Sequence, residues 1–209
     1  AWALPLAYGV EGYAVKNNLS VKTKAKIETV TKTAPASVYA FYVPWNNRTS
    51  AQVISLLHQG GIKVRSAMKK AVFGTITIEP GGLIISRADN PKIADFEKIV
   101  SDIIKIKTDY SFITTGFSTN SKDIGGENFI LLKAPKILML SGKGIISTEF
   151  GATWHYLDET ISYPVSIVET ANFNRVKLYN SNTLILNDGS YDFSDDQKKQ
   201  IDEWIKNGG

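Results

Sequence analysis

The sequence contains no cysteine. That absence excludes disulfides, zinc–thiolate sites and a cysteine nucleophile within these residues, and it is compatible with cytoplasm or periplasm alike. Histidine is scarce too, with His58 and His155 the whole complement. No apolar run approaches the roughly 20 residues that cross a bilayer, so no membrane span is expected. There is no basic patch with interleaved aromatics, and nucleic-acid binding is not expected either. The net charge is only +4. The one Lys-rich stretch, residues 16–32, contains the alternation Val21-Lys22-Thr23-Lys24-Ala25-Lys26-Ile27, which reads as a solvated edge strand rather than a polyanion site. An initiator Met, a charged leader and a cleavage signature are also missing from the opening Ala1-Trp2-Ala3-Leu4-Pro5-Leu6. At the other end, Ile201-Asp202-Glu203-Trp204-Ile205 reads as a helix, and Gly208-Gly209 as the turn towards a further strand. The expectation is a piece of a larger protein.

What is present suits one large or two small domains: 209 residues, of which 43% are hydrophobic, enough to build a core. Residues 1–33 read as an apolar tail joined to a polar strand, with Leu4, Leu6, Tyr8, Val10 and Tyr13 packing on a preceding domain. Residues 34–133 read as a small α/β module. Val38-Tyr39-Ala40-Phe41-Tyr42-Val43 is a continuous apolar run, as in a strand covered on both faces. Thr49 or Ser50 caps a helix carrying Val53, Leu56 and Leu57, which Gly60-Gly61 stops. Ile62-Lys63-Val64-Arg65 then completes a β-α-β unit. Two strands flanking the turn Glu79-Pro80-Gly81-Gly82 form a small antiparallel insert. Asp89-Asn90-Pro91 starts a helix with Ile93, Phe96, Val100, Ile103 and Ile104 on its buried stripe. Tyr110-Ser111-Phe112-Ile113 is a strand, and a Gly-, Ser- and Asn-rich loop follows.

Residues 134–209 read as a second alternating unit. Ile137-Leu138-Met139-Leu140 is a buried strand, and Ser141-Gly142-Lys143-Gly144 is a turn. Phe150, Trp154, Leu157 and Ile161 line a helix, Val165-Ser166-Ile167-Val168 and Thr183-Leu184-Ile185-Leu186 are strands, and Ser194 with Gln197 caps the last helix. The fold class expected is α/β, two β-α-β units with mainly parallel sheet plus the antiparallel insert.

Several of these segments resemble one known family. Ala1-Trp2-Ala3-Leu4-Pro5-Leu6-Ala7-Tyr8-Gly9-Val10-Glu11 is similar to the segment closing the peptidase domain in a bacterial branch of the M14 zinc carboxypeptidase-like proteins. Phe41-Tyr42-Val43-Pro44-Trp45-Asn46, Gly61-Ile62-Lys63-Val64-Arg65 and Ile84-Ile85-Ser86-Arg87-Ala88-Asp89-Asn90-Pro91 resemble the region that follows it there. Lys136-Ile137-Leu138-Met139-Leu140-Ser141-Gly142-Lys143-Gly144, Phe150-Gly151-Ala152-Thr153-Trp154-His155 and Leu186-Asn187-Asp188-Gly189-Ser190-Tyr191-Asp192 resemble its C-terminal domain, which is similar to class I glutamine amidotransferases and flavodoxin-like in fold. The resemblance implies a non-catalytic accessory region that packs on an upstream peptidase domain of the same chain and shapes substrate access. It also implies a secreted or periplasmic setting. Zinc would belong to that upstream domain, since neither His58 nor His155 stands in a His-x-x-Glu pair, and no cofactor is expected in these residues. An amidase of the glutamine amidotransferase type would need a nucleophile beyond Gly209. No catalytic residue and no metal ligand is expected within the chain itself.

The binding address of an open parallel sheet lies outside the carboxyl ends of its strands. Two loops fit it, 141–147 and 187–192. In the first, Gly142, Lys143 and Gly144 precede a helix and can present backbone N–H groups to an anion; the competing reading is a tight strand-to-helix turn. In the second, Asp188, Gly189 and Ser190 gather polar groups, with an Asx-type turn as the competing reading. A peptide or glycan is the ligand class considered for these loops. His155 reads as a structural or surface residue, and His58 as a cation favoured by the C-terminal end of its helix.

Overall fold

The structure is a computed structural model and describes residues 12–14, 16, 17, 32–107 and 109–209. The chain divides into two compact units, Ala1–Thr33 and Ala34–Gly209. Of the expected apolar tail, Leu4, Leu6, Tyr8 and Val10 lie outside the described residues, as does the Lys-rich edge strand over 21–27, while Tyr13 is described and exposed. The rest of this description concerns the second unit.

Two larger sheets and a separate two-stranded hairpin organise this unit. The first begins with β1 (Ala40–Val43), α1 (Arg48–Gln59) and β2 (Arg65–Ala67). A hairpin of β3 (Ala71–Phe73) and β4 (Ile76–Ile78) follows, then β5 (Leu83–Ser86), α2 (Phe96–Lys107), β6 (Ser111–Ile113) and β7 (Phe129–Leu131). The strand order is β6-β1-β5-β2-β7, and every neighbouring pair is antiparallel. This corrects the mainly parallel sheet expected for residues 34–133. Strands β1 and β2 do run the same way on either side of α1, but β5 is inserted between them, with Ala40 opposite Ser86 and Arg65 opposite Ile84. The result is a split β-α-β arrangement within a β-α-β-β-α-β order. A fully apolar strand fits the centre of a parallel or an antiparallel sheet equally well, so the run at 38–43 could not distinguish them.

The alternation along β1 explains why it is apolar throughout. Phe41 and Val43 face α1 and α2, packing with Val53, Leu57, Leu83, Ile85, Phe96, Val100 and Ile104. Ala40 and Tyr42 face the other way, towards Ala71, Phe73 and Ile78 of the hairpin and towards Ile124 and Phe129. The insert itself differs from expectation. Its hairpin turn is Gly74-Thr75; Glu79-Pro80-Gly81-Gly82 does turn as expected, with Gly82 N donating to Glu79 O at 3.0 Å, but the strand after Gly82 joins the large sheet instead of pairing back within the insert. Gly74 at φ 60 suits such a two-residue connection.

Helix boundaries follow local hydrogen bonding. Asn47, rather than Thr49 or Ser50, caps α1: its Oδ1 accepts from Ser50 N at 3.1 Å. Gly60 and Gly61, the latter at φ 69, end it as expected. Helix α2 starts at Phe96, later than Asp89-Asn90-Pro91 implied. Asp89 and Asn90 are engaged elsewhere. Asn90 Oδ1 accepts from Lys63 N, and its Nδ2 donates to Lys63 O and Ser86 O, tying the approach to β2 to the end of β5.

The second sheet has the order β10-β8-β9 and is parallel, built from β8 (Ile137–Ser141), β9 (Val165–Glu169) and β10 (Thr183–Ile185). Helix α3 (Ser147–His155) and a wide turn, Tyr156–Thr160, connect β8 to β9, and α4 (Asp195–Lys206) follows β10. Leu138 and Leu140 pack with Phe173, Leu178, Ile201 and Trp204 on one face. Ile137 and Ile185 pack with Ile161, Tyr163, Leu157 and Ala51 of α1 on the other. The expected stripe of Phe150, Trp154, Leu157 and Ile161 is only half realised. Helix α3 buries no residue and Trp154 is 39% exposed, while Leu157 and Ile161 reach the core. The π-type turn at Tyr156–Thr160 widens the helix and breaks the 3.6-residue phase between the two halves of that stripe. The Ser194–Gln197 capping box is present in full on α4.

Among the described residues no helix is long and apolar enough to cross a membrane.

Candidate functional site

Strands β8 and β10 are parallel neighbours, so the loops that leave them emerge at the same edge of the sheet. The two loops picked from the sequence therefore meet. Ile146 N donates to Asp188 O at 2.9 Å, Ser190 N donates to Gly144 O at 2.8 Å, and Ile145 bridges to Gly189. Gly144 sits at φ 91, and a Cβ there would collide with the Ser190 carbonyl. A Cβ on Gly189 would in turn collide with the Gly144 carbonyl. These glycines thus allow two backbones to approach each other.

A cleft of about 460 Å³ opens beside this junction. Lys143, Gly144 and Ser190 line it, together with Thr170, Asn174 and Asp192. Gly142, Asp188 and Gly189 do not line it. Gly142, at φ 94, turns the chain so that Ile145 N donates back to its carbonyl at 3.2 Å, and Asp188 and Gly189 serve the loop junction through their backbones. Thr170 Oγ1 donates to Lys143 O at 3.3 Å and so holds the cleft's third wall against the first. Thr170 and Asn174 belong to a short 3₁₀ segment after β9, and Gln197 of α4 closes the lining. Sequence reasoning missed them because nothing local marks residues 170–175 as neighbours of a loop some 30 positions away.

Behind the junction, Asn187 is 8% exposed, with its Oδ1 accepting from Thr153 Oγ1 at 2.6 Å. Its Nδ2 is buried without a partner. The Tyr191 hydroxyl donates to Asn187 O, and burial first, then the Asp188 charge, pushes that phenol's pKa up. The cleft so built offers one cation, one carboxylate and several hydroxyl and amide groups at the carboxyl ends of parallel strands. Such a surface recognises polar, hydrogen-bonding ligands.

Two further polar features lie outside the cleft. Arg65 donates from Nε and Nη2 to the Asp89 carboxylate at 2.8 and 2.7 Å, a two-pronged pair with side chains 20% and 15% exposed. The hydrogen bond from Arg65 holds the Asp89 carboxyl below its usual pKa, and the same bond raises that of Arg65. No sequence motif announces this pair. Of the histidines, His155 is exposed on α3 and His58 is half-buried on α1. Burial lowers the pKa of His58, against the helix-end cation expected for it. Among the described residues no group of three or more His, Cys, Asp or Glu side chains converges as metal ligands would.

Comparison with protein-family models, with curated proteins and with solved structures finds no match for the chain.

Proposed function

We propose that this chain is an accessory region of an M14-like zinc metallocarboxypeptidase-type protein, secreted or periplasmic, with residues 134–209 forming part of a flavodoxin-like, class I amidotransferase-like domain. The observation that carries this reading is the parallel order β9-β8-β10. Numbered along the chain it is 2-1-3, the order in which a flavodoxin-like sheet begins. The sequence resemblance implied that fold for these same residues. In this reading the region packs on a peptidase domain upstream and shapes access to it, while zinc and its ligands belong to that domain. The test compares the parent protein with a version lacking residues 34–209, measuring zinc content, carboxypeptidase activity and thermal stability. Loss of stability or a changed substrate range is expected on deletion. Unchanged activity, stability and substrate range would overturn the reading.

A second reading is favoured by the cleft beside Lys143 and Ser190: a binding module for a peptide or glycan. The cleft is lined by the segments that follow β8, β9 and β10, and so lies outside the carboxyl ends of the parallel strands, where such sheets take ligands. Cell-wall peptides and glycans should raise the melting temperature of this chain, and Lys143→Ala should reduce the rise. The absence of any thermal shift across both ligand classes would sink this reading without touching the first.

A further inference from the structure

The polar cleft carries two charges of opposite sign, Lys143 on the loop after β8 and Asp192 on the segment after β10. Both residues are exposed, and among the described residues neither belongs to an ion pair. The two charges therefore share one cleft without neutralising each other.

Each is held in place by its surroundings. Lys143 lies between Gly142 and Gly144, both at positive φ, and Thr170 Oγ1 and Ser190 N tie this turn down by donating to Lys143 O and Gly144 O. Asp192 lies between Tyr191 and Phe193, whose rings stack at 5.3 Å and pack against the core around Phe173. A third polar group is fixed by the cap of α4. Gln197 Oε1 accepts from Ser194 N at 2.9 Å, so its Nε2 remains a donor at the cleft wall.

The charges select among ligands. A neutral oligosaccharide lying over the cleft takes water from both charges and supplies no counter-charge. A simple anion pairs with Lys143 but is opposed by Asp192, and a simple cation meets the reverse problem. A molecule with a carboxylate at one end and an ammonium at the other complements both. In a peptide, the carbonyl and amide groups between those ends also find partners in Gln197 Nε2 and the Ser190 hydroxyl.

We propose that the cleft binds a short peptide by both of its free ends, the terminal carboxylate at Lys143 and the terminal ammonium at Asp192. This rests on the reading of the cleft as a binding module, and it chooses the peptide over the glycan.

The probes are trialanine, trialanine amide, N-acetyl trialanine and maltotriose. Each is titrated into the whole chain at about pH 6.5, where both peptide ends are charged, while the backbone amide signals of residues 143, 144 and 190–192 are followed by NMR. Trialanine should give saturable shifts and bind about threefold more tightly than either blocked peptide, the effect of one part-exposed ion pair. It should also bind more tightly than maltotriose. In Lys143→Met the penalty for amidating the carboxylate should vanish and that for acetylating the amine should remain; Asp192→Asn should do the reverse. Equal binding of free and blocked peptides, tighter binding of maltotriose, or penalties that both variants leave unchanged would each overturn the proposal while leaving the cleft a binding site. No saturable shift with any probe would overturn the proposal and the binding-module reading together. Should a variant fail to fold, the comparison of free and blocked peptides in the unaltered chain still decides it.

Discussion

Replacing Asp89 tests how the antiparallel sheet is locked. The Asp89 carboxylate accepts two hydrogen bonds from Arg65 and one from Ser86 Oγ at 2.7 Å. Arg65 keeps a further bond to Phe129 O at 2.9 Å, so Asp89→Ala strips its guanidinium of the counter-charge without freeing it to leave. Removing one member of a buried ion pair costs about 3–5 kcal/mol, and an exposed pair about 0–1 kcal/mol. With both side chains mostly covered but not sealed, the expected loss is about 2–3 kcal/mol. Asp89→Asn keeps the shape and should lose about 1–2 kcal/mol, by the difference between charged and neutral hydrogen bonds. Urea unfolding followed by circular dichroism measures both. The pH dependence supplies an independent check. The folded carboxyl is held below its ordinary pKa, so its stabilisation is complete above the unfolded value near pH 3.9 and is lost as pH falls through the folded value. The gap between the native chain and Asp89→Asn should therefore close on acidification. A gap below about 0.5 kcal/mol that does not change with pH would refute the reasoning.

Asn47→Ala should destabilise α1 by about 1 kcal/mol, read from the shift in urea midpoint, because Ser50 N loses its cap. Gly144→Ala should cost about 2 kcal/mol or more in the same assay, since it places a side chain at φ 91 and against the Ser190 carbonyl; it should also disturb NMR signals from residues 187–192. His58→Phe should leave stability at pH 8 equal or higher, as it removes an unpartnered nitrogen from an apolar wall. The native chain should lose stability as pH falls below about 6.5 and through the lowered folded pKa of His58, and this component should be missing from the Phe variant's pH profile.

Residues 34–133 show where sequence patterning ends. The runs at 38–43 and 83–86 mark buried strands, and the Phe96, Val100, Ile104 stripe marks a helix face, all as found. Pairing was not legible, because a strand buried on both faces carries no record of its neighbours. The site divides similarly. Glycines at 142, 144 and 189 signal backbone conformations that other residues avoid, and the loops containing them do come together. Their partners Thr170, Asn174 and Gln197 carry no local mark, because an exposed Thr, Asn or Gln has the same sequence appearance whether or not a cleft forms beside it.

By itself, then, the sequence determined most of the strand and helix segments, though not β7 or the break at Tyr156–Thr160, together with where Gly60-Gly61 ends a helix, where the Ser194–Gln197 box begins one, and which cysteine and thiolate chemistries are closed to these residues. Those properties depend on neighbours within a turn or two along the chain. Tertiary structure alone decided that β5 divides β1 from β2, that Arg65 meets Asp89, that Lys143 shares a cleft with Asn174, and that His58 faces an apolar cavity instead of water. Each depends on contacts between residues far apart in sequence, which exist only once the burial of apolar surface has chosen one arrangement of the elements over its competitors.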